Sequence, residues 1–393
     1  MDADPGVPPL PKLISGSLPQ ALHWWRHGLA GAGEAQVLLL LAATESAAVP
    51  GISAAGATPE ARRRTAAADA ELLLLGPSAP KPHALPPLPA GVSPALISQV
   101  VVETLDLPVL VVDLGLAVSP AVPHLRLAGQ RPAACLSSGR AMAQERVLDL
   151  IARGQRLGRA WAARPQQRPL VVAECVPGGT STALATLLGL GIEASGLVSG
   201  SLRHSAHDLK DSLARQGLAA AGLLDRTQSP FSPDPLAVLA AVGDPMQAVA
   251  SGLLPVVTAS GQPVLLAGGS QMAAVLALAL AAASPRERQQ LAAQVAIGTT
   301  GWVAQEPSSD LSRLLALIGE RFGVSCLGMA SDLHFRHCRL QALRDYERGY
   351  VKEGVGAGGL ALIWQRSGRQ VAALAEACDR ACGELLASAP SGF

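Results

Sequence analysis

The chain has 393 residues, of which 49% are hydrophobic and 3% aromatic, and its formal net charge is +1 from 31 basic and 30 acidic residues. This length and apolar content are sufficient for a large core of small aliphatic side chains. The balanced charge excludes a broad basic surface for nucleic acid. Six cysteines in so long a chain argue against a disulfide framework and favour a reducing compartment.

No targeting or membrane-spanning segment is recognised. The N-terminal residues lack the basic start and apolar stretch of a signal peptide. The longest apolar runs, 37–43 and 273–283, are shorter than the roughly 20 residues that a membrane-spanning helix needs. We therefore predict a cytoplasmic protein that binds neither a membrane nor nucleic acid.

Strands and helices are predicted to alternate along most of the chain. Short continuous apolar runs are typical of strands that are covered on both faces, and these runs are 37–43, 109–114, 169–175, 194–198, 263–267, 294–298 and 324–327. Helical patterns cover 59–75, 140–161, 182–189, 205–216, 235–242, 245–259, 270–283, 311–322, 358–364 and 370–387. This alternation predicts an α/β, Rossmann-like three-layer fold with a mostly parallel sheet.

The same pattern suggests how the chain is divided. Residues 35–365 are predicted to form the α/β domain, with the proline-rich stretch 76–94 as a surface connection. Residues 1–34 and 366–393 are predicted to be helical terminal segments, forming a small helical part. We expect these two segments to pack together or on the main domain.

A glycine-rich turn, Glu-Cys-Val-Pro-Gly-Gly-Thr-Ser-Thr at 174–182, leads from a predicted strand into a helix. Gly178 and Gly179 permit close approach of a ligand, while Thr180 and Ser181 add hydroxyl donors. The N–H groups at a helix start are unpaired and carry partial positive charge, which favours a phosphate site. A tight turn with hydroxyl caps and no ligand stays open on the pattern alone.

A second turn at 196–200 resembles the first in character. It ends at Gly200, and Lys210 lies near the middle of the helix that follows. A lysine there could reach a phosphate as a point charge, although a solvated surface lysine has the same pattern. Gly268 and Gly269 follow a later strand, at the sheet edge where parallel sheets bind ligands.

Near the end of the chain, Glu353 precedes the glycine run Gly-Val-Gly-Ala-Gly-Gly. A carboxylate beside such a loop can act as a general base when partial burial raises its pKa. A capping carboxylate next to a glycine hinge is the alternative. The histidine pairs 204/207 and 334/337 lack a third ligand nearby, so we predict no metal site and no cofactor.

These segments, in this order, resemble the nicotinate-nucleotide:dimethylbenzimidazole phosphoribosyltransferase family, and most closely its divergent archaeal and cyanobacterial branch. The resemblance covers about residues 35–365. In the first turn it rests on Glu174, Gly178, Thr180 and Ser181, which match the family's Gly-Glu-Met-Gly-Ile-Gly-Asn-Thr-Thr motif. It continues with Gly200 and Lys210, with Asp-Pro-Leu-Ala-Val-Leu at 234–239, and with Lys-Glu-Gly-Val-Gly-Ala-Gly-Gly-Leu-Ala-Leu at 352–362.

The sequence also departs from the family pattern. The N-terminal Lys-Pro-x-Gly-Ser-Leu-Gly segment is not recognisable, and the family's Asp-Gly-Phe is replaced by Ala267, Gly268 and Gly269. Gly179 stands where the family has asparagine. These differences fall in the region expected to hold the attacking base.

The resemblance implies transfer of the phosphoribosyl group of nicotinate mononucleotide to a nitrogen base, such as dimethylbenzimidazole or adenine, for cobamide synthesis. It implies that Glu353 is the catalytic base and that the glycine turns and Lys210 hold the donor phosphate, with nicotinate near Glu174. It also implies a homodimer. Two alternatives stay open: a nicotinate-nucleotide-binding protein without transferase activity, and an unrelated α/β phosphosugar enzyme.

Overall fold

The structure is a computed structural model that describes residues 7–127, 129, 131–164, 168–224 and 234–388. Within these ranges eight strands form one sheet. The strands are β1 (Lys12–Ser15), β2 (Gln36–Leu41), β3 (Val109–Asp113), β4 (Leu125–Arg126), β5 (Leu170–Cys175), β6 (Val264–Ala267), β7 (Val295–Thr299) and β8 (Leu327–Ala330).

Fifteen α-helices accompany the sheet in the described part of the chain. The first eight are α1 (Leu18–His23), α2 (Pro59–Leu75), α3 (Ala95–Leu105), α4 (Gln144–Ala162), α5 (Gly179–Gly189), α6 (His207–Ala220), α7 (Pro235–Val242) and α8 (Pro245–Ala259). The others are α9 (Ser270–Ala282), α10 (Pro285–Gln294), α11 (Gly301–Ala304), α12 (Leu311–Phe322), α13 (Gln341–Arg344), α14 (Ala357–Arg366) and α15 (Val371–Ser388). None of the described helices is long and apolar enough to cross a membrane.

The strands lie in the order β1-β8-β7-β6-β5-β2-β3-β4, and every neighbouring pair is parallel except β1 with β8. This confirms the predicted α/β fold with a mostly parallel sheet. From β2 the chain proceeds to one edge of the sheet, and from β5 it proceeds to the other. The strand order therefore reverses between β2 and β5, where parallel sheets leave a crevice at their carboxyl ends.

Alternate residues of each central strand enter two different cores, because side chains alternate across a strand. In β2, Leu38 and Leu40 face the core that includes α4, α5, α8 and α9. Val37, Leu39 and Leu41 face the core that includes α2, α3, α14 and α15. These two helical layers enclose the sheet and produce the predicted three layers.

The abundance of small residues allows very close helix packing. Where α4 meets α8, a β-carbon on Gly154 would lie 2.1 Å from the Val249 carbonyl oxygen. A β-carbon on Gly252 would lie 2.4 Å from the Ile151 carbonyl oxygen. Real side-chain atoms do not approach backbone so closely, so these two helices pack backbone to backbone only because both positions are glycine.

Three predictions about elements need correction. Residues 194–198 form turns rather than a strand. The two positions beside β5 in the sheet are occupied by β2 and β6, and the left-handed backbones of Gly191 and Gly196 interrupt an extended conformation. The strand predicted at 324–327 lies at Leu327–Ala330. The N-terminal segment contains strand β1 as well as helix. The strand was not predicted because its four residues are too few to show a strand pattern in the sequence. The domain division at residues 35 and 365 stays a prediction.

Candidate active site

A cavity of about 780 Å³ opens near the point where the strand order reverses. Its walls come from the turns after β5 and β6, from residues 199–201, from the segment before α14, and from α2 and the proline-rich stretch. The structure places seven of the predicted site residues on its surface: Glu174, Gly178, Gly179, Thr180, Gly200, Gly269 and Glu353.

The turn between β5 and α5 presents a helix N-terminus to the cavity. Gly178 is the N-cap residue and has φ +79°, and a β-carbon there would lie 3.0 Å from the Ala47 nitrogen. A β-carbon on Gly179 would lie 1.8 Å from Gln271 Oε1. The two glycines therefore let the turn pack closely against Ala47 and Gln271. The N-terminus of α5 has no side-chain cap, and because N–H groups in a first helical turn carry partial positive charge, it can receive an anion from the cavity.

The two hydroxyl residues of this turn are placed differently. Thr180 lines the cavity, whereas Ser181 is completely buried and is not one of the lining residues. The next residue, Thr182, donates from Oγ1 to Asp244 Oδ2 at 2.5 Å and thereby ties α5 to the start of α8. Of these two hydroxyl residues, Thr180 is therefore the one on the cavity surface.

Lys210 lies behind the second turn rather than in the cavity. Its Nζ donates to the Ser199 carbonyl oxygen at 2.9 Å, and a β-carbon on Gly200 would lie 2.8 Å from that Nζ. Burial lowers the pKa of Lys210 to about 8, so most molecules carry this charge at neutral pH. The lysine therefore holds the turn and places positive charge beneath it.

Glu353 is fixed at the cavity by four hydrogen bonds. Oε2 accepts from Thr299 Oγ1 and from the Thr300 N–H, both at 2.9 Å. Oε1 accepts from the N–H groups of Gly354 at 3.2 Å and Gly358 at 3.0 Å. Burial raises the pKa of Glu353, and these donors oppose that rise by stabilising the carboxylate.

The backbone around Glu353 adopts conformations that side chains rarely adopt. Val351, Lys352 and Val355 have φ values of +65°, +63° and +53°. Such strain persists only where surrounding contacts impose it. Here the Thr300 hydroxyl donates to the Lys352 carbonyl, and the Ser98 hydroxyl donates to the Val355 carbonyl.

Glu174 is the second buried carboxyl of the cavity. Its Oε2 accepts from the Val176 N–H at 3.0 Å, and its Oε1 accepts from Gln271 Nε2 at 2.9 Å. Burial, with the negative charges of Glu353 and Asp244, raises the pKa of Glu174 to about 8. At neutral pH Glu174 is therefore mainly protonated.

Sequence reasoning missed a buried charge pair beneath the two turns. Lys352 Nζ donates to Glu306 Oε1 at 2.7 Å, and both side chains are at most 3% exposed. Glu306 also accepts from the hydroxyls of Ser199, Ser308 and Ser309. The pair therefore links the residue before Glu353 to the Ser199 turn.

Gln271 and Asp69 were also missed, although both line the cavity. Gln271 follows the two predicted glycines, Gly268 and Gly269, in the sequence. Gly269 lines the cavity, whereas Gly268 is not among the residues of its wall. Asp69 is on α2, where its sequence neighbours are alanines. The available signal was that Asp69 and Glu71 interrupt an otherwise apolar stretch of helix, which implies buried carboxyls.

The described residues contain no group of three or more His, Cys, Asp and Glu side chains that could hold a metal ion. The cavity combines three carboxyls, those of Asp69, Glu174 and Glu353, with two glycine turns and backbone donors. An α/β protein with such a crevice at the reversal of its strand order belongs to the class of nucleotide- or phosphosugar-binding enzymes.

Known proteins identify the family within this class. A family model described as phosphoribosyltransferase matches residues 95–296, just over half of the chain. A UPF0284 protein of Prochlorococcus marinus (strain MIT 9313) is 51% identical over 93% of this chain and 90% of its own length. A UPF0284 protein of Gloeobacter violaceus is 44% identical over 94% of both chains.

The chain therefore belongs to the phosphoribosyltransferase family, which confirms the resemblance inferred from its motifs. Its fold is also similar to that of CobT from Thermus thermophilus, with a TM-score of 0.56, 22% identity, and 93% and 92% of the two chains covered. A second structure, a nicotinate-nucleotide-dimethylbenzimidazole phosphoribosyltransferase from the same organism, has the same TM-score and coverage at 20% identity. These two likenesses support the fold.

Proposed function

We propose that this protein transfers the phosphoribosyl group of nicotinate mononucleotide to a nitrogen base such as dimethylbenzimidazole or adenine. The products are free nicotinate and an α-riboside phosphate for cobamide synthesis. The observation that carries the proposal is that Glu353, held by four hydrogen-bond donors, shares one cavity with the N-terminus of α5, which has no side-chain cap. Family membership and the similar fold of the Thermus nicotinate-nucleotide-dimethylbenzimidazole phosphoribosyltransferase support it.

In this proposal the donor phosphate lies on the backbone of Gly178–Thr180 and of the Ser199–Ser201 turn. Both turns line the cavity, and the helix N-terminus at the first turn favours an anion. Lys210, behind Gly200, adds positive charge without direct contact. The ribose then points towards the two carboxyls.

Glu353 removes the N–H proton of the attacking base. As that proton moves to the carboxylate, the base nitrogen gains the electron density with which it bonds to the anomeric carbon. The bond from that carbon to the nicotinate nitrogen breaks, and its electron pair neutralises the pyridinium ring. Holding both rings in line on either side of the ribose supplies much of the remaining acceleration.

Glu174 supports this chemistry by remaining protonated. An ionised Glu174 would repel both Glu353 and the carboxylate of nicotinate. A protonated Glu174 instead presents a hydrogen-bond donor near the leaving ring. In this proposal the two glutamates have different roles in one cavity, Glu353 as the base and Glu174 as a hydrogen-bond donor.

The test is to incubate the purified protein with nicotinate mononucleotide and each candidate base, and to follow released nicotinate and riboside phosphate by chromatography. We expect release that depends on the added base. Binding of nicotinate mononucleotide without any release would establish the alternative, a nucleotide-binding protein without transferase activity. A different sugar phosphate product would establish an unrelated phosphosugar enzyme.

We also propose a homodimer located in the cytoplasm, as the family resemblance implies. Light scattering of the purified protein measures the first point, with twice the 40.1 kDa chain mass expected. A monomer at micromolar concentration would contradict it. Fractionation of cells that produce the protein tests the second point.

A further inference from the structure

The wall formed by α2 and the start of α3 carries a carboxyl that the proposed mechanism does not use. Asp69 lines the cavity and is 4% exposed. Its Oδ1 accepts from Ser93 Oγ at 2.6 Å, and its Oδ2 is 3.3 Å from Cys175 Sγ. Cys175, Glu174 and Glu353 line the same cavity, so Asp69 and the two glutamates face a common space.

Three donors on this side of the cavity, the Ser93 and Thr65 hydroxyls and the Cys175 thiol, already have acceptors within the protein. Ser93 directs its hydroxyl proton to Asp69, and Cys175 directs its thiol proton to the same carboxyl. Thr65, one turn before Asp69 on α2, donates to the Ala55 carbonyl at 2.6 Å. A carboxylate has about four lone-pair positions, so Asp69 can accept further hydrogen bonds from a ligand.

Among the described residues, no cation forms an ion pair with the Asp69 carboxylate. Lys81 lines the same cavity, but its Nζ donates to the carbonyls of Pro77 and Ala79, both at 2.9 Å. Burial raises the pKa of Asp69 to about 6, so at pH 7 the carboxylate form still predominates. Leu85, Leu88 and several prolines complete this side of the cavity with apolar surface suited to a flat ring.

We propose that Asp69 selects heteroaromatic acceptors that carry an exocyclic N–H or O–H donor, of which adenine is an example. This rests on the proposed function. Once the ring N–H proton has moved to Glu353, dimethylbenzimidazole has no donor left and would bury the Asp69 carboxylate against methyl groups. An exocyclic amine remains available and supplies the missing hydrogen bond.

The test compares adenine with purine, which lacks only the exocyclic amine, and with dimethylbenzimidazole. We expect kcat/KM for adenine to exceed that for purine by about tenfold or more, the usual effect of a hydrogen bond to a charged group. In Asp69→Leu the preference falls to about unity, and in Asp69→Asn it is intermediate. Equal values for adenine and purine in the unmodified protein would overturn the inference, whether or not the variants fold.

Ser93→Ala is the matched control, because it removes a partner of Asp69 and leaves the carboxylate. We expect this variant to retain the preference for adenine. If it loses the preference as Asp69→Leu does, Asp69 has only a structural role and the inference fails. Absence of turnover with every base would overturn the proposed function and the inference with it, whereas turnover without discrimination overturns the inference alone.

Discussion

Two segments of this molecule share a local structure, a glutamate that precedes a left-handed glycine N-cap, but differ in the hydrogen bonds of that glutamate. Glu174 precedes the left-handed N-cap Gly178 of α5, and Glu353 precedes the left-handed N-cap Gly356 of α14. At α14, the Gly358 N–H donates to Glu353, so the helix N-terminus stabilises a carboxylate of its own chain. Glu174 accepts from Val176 and Gln271 instead, so it does not occupy the N-terminus of α5. Under the proposed function, this difference distinguishes the catalytic base beside α14 from the phosphate site at α5.

The two segments also differ in backbone strain. The first has a left-handed backbone only at glycine, whereas the second has it at Val351, Lys352 and Val355. The surrounding contacts, including the Lys352–Glu306 pair, impose these conformations. We infer that the base segment is preorganised at some expense of stability, as is common for catalytic residues.

The sharpest test of this contrast is Glu353→Gln. The amide cannot take the proton of the attacking base, so we expect kcat to fall by about 10² to 10⁴-fold. Binding of nicotinate mononucleotide, measured by calorimetry, should change little because α5 is intact. Full activity in this variant would remove Glu353 from the mechanism.

Next in size is Glu306→Gln, which leaves Lys352 as a buried cation without its ionic partner. Breaking such a pair costs about 3–5 kcal/mol of unfolding free energy, measured by denaturant titration. We also expect kcat to fall, since the segment before Glu353 loses its anchor. The double variant Glu306→Gln/Lys352→Met should regain part of the stability. If the single variant keeps wild-type stability and kcat, the pair does not position the base.

A matched pair of glycine substitutions tests the division between binding and chemistry. Alanine with a left-handed backbone costs about 1–2 kcal/mol at either N-cap. Gly178→Ala should mainly raise the KM for nicotinate mononucleotide. Gly356→Ala, whose β-carbon would lie 2.7 Å from that of Ala173, should mainly lower kcat. Identical kinetic effects of the two variants would contradict the contrast.

The smallest expected effect concerns pH. The pKa of Glu174 is raised by folding to about 8, so its contribution to stability is complete below pH 4.5 and is lost as pH rises towards 8. Between pH 6 and 8, above the pKa of Asp69, we expect Tm to decline less steeply in Glu174→Gln than in the unmodified protein. Glu145→Gln, on the exposed first turn of α4, is the control. An unchanged slope would show that Glu174 is already ionised.

The sequence was informative where the signal is local. Continuous apolar runs predicted the central parallel strands, and glycines at strand ends predicted the turns at 178 and 200. The segment at 194–198 misled because a short apolar run does not reveal whether a place in the sheet is available. Strand β1 was missed because its four residues are defined by pairing with β8, more than 300 residues away.

The site was predictable only in part, for the same reason. Glu353 and Glu174 lie beside glycine motifs that the sequence shows directly. Glu306 and Asp69 are recognisable only through partners that are distant in the sequence. Asp69 meets Cys175, 106 positions later, and Glu306 meets Lys352, 46 positions later. Spacing also could not reveal that Lys210 lies behind the Gly200 turn. Helical periodicity predicts which face of the helix a residue occupies, but not how far its side chain lies from the cavity.

The cavity has walls drawn from residues as far apart as 53 and 388. A cavity assembled from residues so far apart in sequence exists only when the chain is folded. A molecule that fills the cavity therefore binds only the completed fold, and by mass action it raises the melting temperature of the whole chain. Substrate supply and survival of the folded protein are thus thermodynamically linked.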